Sequence, residues 1–185
     1  MIQSAELLQL FGQRQSVRSY TNQSVSTDII ERCINAAQLA PSACNSQPWK
    51  FVVITDPLLL QQASSMLVTP PLSMNKFASE APVLIVLVRE KPNLSSKIGE
   101  LLRNKTYSLM DVGMATMQLC IQATAEGLGT CIMGWFNEKQ IKKLLGIPSS
   151  VRAELVISMG YAKDEAIRPK QRKPLEAIHS FNKYE

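Results

Sequence analysis

Val83-Leu84-Ile85-Val86-Leu87-Val88 is an unbroken apolar run, preceded by Ala81-Pro82 and closed by Arg89. A half-exposed strand alternates apolar and polar side chains, so a run without alternation fits a strand covered on both faces. Such a strand needs partners. Phe51-Val52-Val53-Ile54 reads as one, Thr130-Cys131-Ile132-Met133 as a short second, and Glu154 to Tyr161 as the last long one. It also needs a layer on each side, and the segments between the strands read as helices.

Residues 3–12 carry Leu7, Leu8, Leu10 and Phe11 and read as a short amphipathic helix closed by Gly12. Ser26 or Thr27 caps the next helix, whose buried face is Ile29, Ile30, Cys33, Ile34, Ala37 and Ala40, and which stops before Pro41. Asp56-Pro57 starts a helix to about Leu67, broken by Thr69-Pro70-Pro71; Leu72 to Glu80 reads as a short helix. Lys91 to Lys105 is polar and mixed, a loop with a helix fragment, and residues 89–106 carry no readable role. From Tyr107 to Glu126 the pattern is helical, and Val112 to Ala125 lacks a polar face, which predicts burial on all sides. Met110, Met114 and Met117 at that spacing read as core filler rather than as a cofactor-lining stripe. Asn137 caps a further helix that Gly146 ends. The tail from Ala162 is polar and basic until Leu175, and Ile178 and Phe181 give it something apolar to dock with.

A chain of 185 residues fits one domain, residues 1–185, and folding buries about 70% of the surface its unfolded form exposes. The net charge of +5 suits nucleic acid, an anionic cofactor or simple solubility. Placement decides more than the sum. Arg14 and Arg18 lie near one end, while Arg168, Lys170, Arg172 and Lys173 lie near the other, so two distant clusters can converge on one phosphate. No basic-then-apolar signal opens the chain, and the charge-free helical stretch Val112 to Ala125 is shorter than the ~20 residues of a membrane span. Cys33, Cys44, Cys120 and Cys131 form no C-x-x-C pair and read as reduced thiols of a cytoplasmic protein. His179 is the single histidine, so neither a metal site nor a Cys–His or Ser–His nucleophile is expected, and Cys44 has no identifiable base.

Two stretches carry the functional reading. In Arg14-Gln15-Ser16-Val17-Arg18 an extended chain turns Arg14, Ser16 and Arg18 to one side, and two guanidinium forks with a hydroxyl suit a phosphate. A solvated basic loop is the other reading. In Ala40-Pro41-Ser42-Ala43-Cys44-Asn45-Ser46-Gln47-Pro48-Trp49 the prolines restrict the chain and the small residues keep its surface low. A flat heterocycle with a polar edge suits it, as does a plain helix-to-strand connection whose Ser and Asn satisfy their own backbone. H-E-x-x-H and G-x-S-x-G are both absent. Gly127-x-Gly129 follows a helix and lacks the third glycine of a dinucleotide fingerprint, and Asp111 reads as a lone acid capping a helix start. An organised polar loop without a catalytic group fits a protein whose cofactor carries the reaction.

The order of these motifs resembles the FMN-dependent nitroreductase family. Arg14 to Tyr20, Ala40 to Phe51, Asp111-Val112-Gly113, Gly127 to Thr130, and Arg168-Pro169-Lys170-Gln171-Arg172-Lys173-Pro174-Leu175 all fall in that family's sequence, nearly end to end. The resemblance implies an α+β fold, with a central mixed or antiparallel sheet flanked by helices, in an intertwined homodimer with FMN at the interface. Arg14 and Ser16 then resemble residues holding the FMN phosphate, with Gln15 nearby and Lys170 and Arg172 reaching in from the tail. Arg18 resembles the basic residue near the N1–O2 edge, which makes the flavin easier to reduce. Pro41, Ser42 and Asn45 resemble the loop that the other subunit lays against the ring, and Gly134 the glycine whose amide bonds N5. Asn75 falls near the ring edge in a loose alignment. Met133 stands where some relatives have an acidic residue, and the polar insert after Val88 is short.

The implied reaction is ping-pong. NADH or NADPH passes a hydride to the flavin, leaves, and is replaced by an electron-poor acceptor such as a nitroaromatic or quinone. Orientation by stacking supplies most of the catalysis, and no protein residue is catalytic. Two alternatives stand beside it. One is a relative with other flavin chemistry, dehydrogenation or reductive removal of a substituent. The other is a basic nucleic-acid-binding domain, disfavoured because Trp49 and Trp135 are not interleaved with the tail charges. Neither nucleic acid nor membrane is expected as a partner.

Overall fold

The computed structural model describes residues 3–69 and 74–184. It is α+β: a four-stranded antiparallel sheet of order β1-β2-β4-β3 with helices on both faces. The strands are β1 (Trp49–Ile54), β2 (Val83–Arg89), β3 (Gly129–Met133) and β4 (Arg152–Gly160). The helices are α1 (Ser4–Gln13), α2 (Thr27–Gln38), α3 (Pro57–Leu67), α4 (Leu94–Arg103), α5 (Tyr107–Ala125) and α6 (Glu138–Leu144).

β2 is the strand its composition predicts. It lies between β1 and β4, paired Val52↔Val86 on one side and Val86↔Val156 on the other. Its side chains divide between two cores. Val83, Ile85 and Leu87 pack with Cys33 and Ala37 of α2 and Ala115, Leu119 and Ala123 of α5. Leu84, Val86 and Val88 pack on the opposite face with Ala63 and Leu67 of α3 and Ile141 of α6. The strand is covered twice because its neighbours and both helical layers cover it, in an antiparallel setting.

Local signals place the other elements. Asp56 accepts from Leu59 N at 2.9 Å and caps α3. Asn93 caps α4 and Asn137 caps α6 in the same way. The helix fragment expected in the polar insert is α4, and the short helix expected after Leu72 is a 3-10 turn over Lys76–Glu80. The Pro70-Pro71 break lies outside the described residues.

Two expectations are corrected. α1 runs past Gly12 to Gln13, and Arg14 is its C-cap. Within one chain α5 is not buried on all sides: Met114 and Met117 are 39% and 40% exposed, as are Leu109 and Met110 just before the apolar stretch at 48% and 54%, because the sheet and α2 cover only its other face.

Candidate functional site

The N-terminal segment reaches the site by lying along the edge strand β3. Val17 N donates to Thr130 O at 2.9 Å, and Ser16 pairs with Thr130 in a parallel bridge. Gly129 makes this approach possible, since a Cβ there would stand 2.4 Å from Val17 Cγ2. Tyr20 anchors the segment from beneath. Fully buried, its hydroxyl donates to Val17 O at 2.8 Å and meets Ser158 Oγ at 2.8 Å. Burial holds its pKa well above the ordinary phenol value, so the hydroxyl remains protonated.

The tail returns over the same edge. Gln15 donates to Ala166 O at 2.9 Å, and its carbonyl accepts from Arg168 N and Nε. Arg168 and Lys170 donate to the carbonyls of Ser16 and Arg14. Arg14, Ser16 and Arg18 therefore line one open cavity of about 340 Å3 together with Arg168, Lys170 and Arg172. Both ends of the chain meet there, as the charge placement predicts. None of these five cations pairs with a carboxylate among the described residues. Lys170 is pushed below the usual lysine range by burial and by Arg14, Arg172 and Arg168. Like charges gathered without a carboxylate partner create a positive potential in the cavity. Beneath it, burial raises the Cys131 thiol although Arg18, Ser16 and Arg168 pull it down, which leaves it a protonated neighbour.

The Pro41–Asn45 loop is held in an unusual conformation. Cys44, Asn45 and Gln47 are left-handed, with φ of 52°, 49° and 46°. Ser42 Oγ accepts from Gln47 N at 2.9 Å, and Asn45 Oδ1 accepts from Gln47 Nε2 at 3.0 Å. The plain-connection reading is thus partly right: both side chains serve their own loop. Two residues outside the loop hold it as well. Ala43 N donates to both carboxylate oxygens of Asp111 at 3.2 Å. Asn93 Nδ2 donates to Cys44 O at 3.0 Å, and Asn93 N donates to Ser46 Oγ at 2.8 Å. Asp111 is not a cap. It sits a turn inside α5, buried, with its pKa raised by burial, an effect the Ala43 bond offsets and Glu100 reinforces. A carboxylate in an otherwise apolar helix was the available signal.

Gly134 follows the end of β3 and is exposed. A Cβ there would meet only Leu155 Cδ2 at 3.8 Å, so the chain's own packing does not demand glycine. The space before it opens into a cavity of about 380 Å3 lined by Thr69, Trp135, Phe136, Asn137 and Glu138. Asn75, left-handed at φ 68°, donates to Trp135 O at 2.9 Å and Leu67 O at 3.3 Å, so it holds the Gly134–Trp135 turn. Thr130, where Ser16 bridges, and Gly134 lie about 13 Å apart along β3 at ~3.3 Å per residue.

One chain does not bring the loop to the cradle. The loop leads into β1 and the cradle lies on β3, the two opposite edges of the sheet. The loop is tied to Asp111 on α5, whereas Arg14 acts on Cys120, about 13 Å further along that helix at 1.5 Å per residue.

The chain is similar to several known proteins. A protein from Archaeoglobus fulgidus, classed by name among the NADH dehydrogenase/NAD(P)H nitroreductases, is 31% identical over 164 residues, covering 86% of this chain and 87% of that one. Iodotyrosine deiodinase of Drosophila melanogaster is 27% identical over 186 residues, which cover 88% of this chain and 64% of that protein. The solved FMN-dependent nitroreductase from Clostridium difficile R20291 superposes with a TM-score of 0.77 at 24% identity, over 96% of this chain and 99% of that one, and so shares the fold. Residues 12–161 match the model of the Nitroreductase family; with the Ser16–Thr130 bridge, the exposed Gly134 and the clamped Pro41–Asn45 loop inside that span, the chain belongs to this family of oxidoreductases.

Proposed function

We propose that this is an FMN-dependent oxidoreductase, a single nitroreductase-like unit over residues 1–185 acting as a homodimer. It takes reducing equivalents from NADH or NADPH and passes them to nitroaromatics, quinones or similar electron-poor acceptors. The convergence of Arg14, Arg18, Arg168, Lys170 and Arg172 on one cavity, unpaired among the described residues, carries the reading. A phosphate brings about −1.5 to −2 charges and three acceptor oxygens to such a cluster.

Arg14, Ser16, Lys170 and Arg172 hold that phosphate, and Gln15 fixes Arg168 beside it. Arg18 would stabilise negative charge at the N1–O2 edge of the flavin, and the Gly134 amide would donate to N5. Bound FMN supplies hydride transfer in two half-reactions, and the chain supplies orientation and electrostatics. Pro41, Ser42 and Asn45 come from the second protomer, since in one chain they sit at the opposite sheet edge. The exposed apolar face of α5 supports that pairing. The four free cysteines fit a reducing, cytoplasmic setting. A visible spectrum of the purified protein, before and after anaerobic NADH, tests the proposal. Yellow protein that bleaches is expected; colourless protein that refuses added FMN refutes it.

Reductive removal of a substituent is a second reading, favoured by the similarity to iodotyrosine deiodinases. An acceptor panel holding nitroaromatics, quinones and iodotyrosine, assayed by NADH and NADPH oxidation, separates the two.

A further inference from the structure

We propose that Asp111 and Asn93 are positioning residues for flavin binding, which clamp the Pro41–Asn45 loop and so set the face it offers the cofactor. The inference rests on the reading of that loop as the flavin's cover.

Left-handed backbone at Cys44, Asn45 and Gln47 is disfavoured for residues with a Cβ, and it persists only where the surroundings over-determine it. Asp111 and Asn93 are those surroundings. Asp111 is 2% exposed, and a buried carboxylate is expensive unless it is hydrogen-bonded. Among the described residues its oxygens accept from Ala43 N alone, so the charge of this helix is aimed at one amide of the loop. Asn93 grips the next two groups, Cys44 O and Ser46 Oγ, while its Oδ1 accepts from Ser96 N and caps α4. The loop is thus held from α5 on one side and from the start of α4 on the other. Neither residue needs to touch the cofactor to matter: a loop that wanders loses the preorganisation that makes binding tight.

The test is an FMN titration by fluorescence, with hydrogen exchange of residues 42–47 followed in the holoprotein. Asp111→Ala should weaken FMN binding at least about tenfold and speed exchange of the Ala43 amide. Asp111→Asn keeps one oxygen acceptor and should restore most of both, which a general loss of stability would not do. Asn93→Ser keeps a cap for α4 but withdraws the donor to Cys44 O. It should weaken FMN about threefold without moving the thermal midpoint, and it carries the test if Asp111→Ala does not fold. Wild-type FMN affinity and wild-type exchange in Asp111→Ala and Asn93→Ser would overturn the inference and leave the proposed function standing. Failure of the wild-type protein to bind FMN would overturn the proposed function and this inference with it.

Discussion

Removing one arginine from the cradle should move affinity and stability in opposite directions. In Arg14→Ala the backbone carbonyl that Lys170 uses is kept, so the tail still crosses the N-terminal segment. What is lost is a charge. A guanidinium about 4 Å from a phosphate oxygen is worth ~1 kcal/mol per unit charge in bulk water and ~4 at a protein surface. The cavity is open, so a value near 2 kcal/mol is reasonable, or about a 30-fold loss of FMN affinity. Without FMN the sign reverses. Lys170 is held below its ordinary range partly by Arg14, so deleting Arg14 relieves repulsion. The apoprotein should melt at the same temperature or slightly higher. Fluorescence titration at low and moderate salt reads the first effect, with the gap shrinking as salt rises. Calorimetry of the apoprotein reads the second. Arg172→Ala should behave alike. Full flavin in both purified variants would refute the phosphate assignment.

Gly134→Ala should leave the thermal midpoint unchanged, since the added Cβ meets only Leu155 at 3.8 Å, yet weaken FMN binding or slow turnover; unchanged flavin kinetics would remove Gly134 from the site. Gly129→Ala drives a Cβ to 2.4 Å from Val17 and should cost about 1–3 kcal/mol, lowering the midpoint and releasing FMN as Ser16 leaves β3. Glu126 is held at about 2 chiefly by the Arg32 guanidinium, which contacts it at 2.8 Å. A depressed carboxylate stabilises the fold above its unfolded value near 4.5 and loses that contribution as pH falls through about 2. The midpoint of Glu126→Gln should therefore lie below wild type at pH 7 and converge with it as pH falls below about 2.

Elements whose signal is local were legible. Asp56-Pro57 starts α3 and Asn137 caps α6 because a cap needs only the next three residues. β2 was legible because burial on both faces is written into each of its side chains. α5 was legible only in part, for the same reason run backwards. Composition shows that a helix face is apolar, not which molecule covers it, and here the chain leaves Met110, Met114 and Met117 exposed.

The site divides along the same line. Arg14, Ser16 and Arg18 could be placed on one side of an extended segment from spacing alone. Their meeting with Arg168, Lys170 and Arg172 follows from Tyr20 and Gly129, which fix the segment on β3 through contacts that no local pattern encodes. Asp111 and Asn93 were missed because each acts across the fold, on Ala43 and Cys44, and a polar residue does not announce a distant partner. The same non-locality bears on the assembly. The loop and the cradle belong to opposite sheet edges, and both are built before any second chain arrives: one by Asp111 and Asn93, the other by Thr130 and Gln15. In the proposed dimer each protomer therefore presents two finished half-sites, and association has only to bring them face to face.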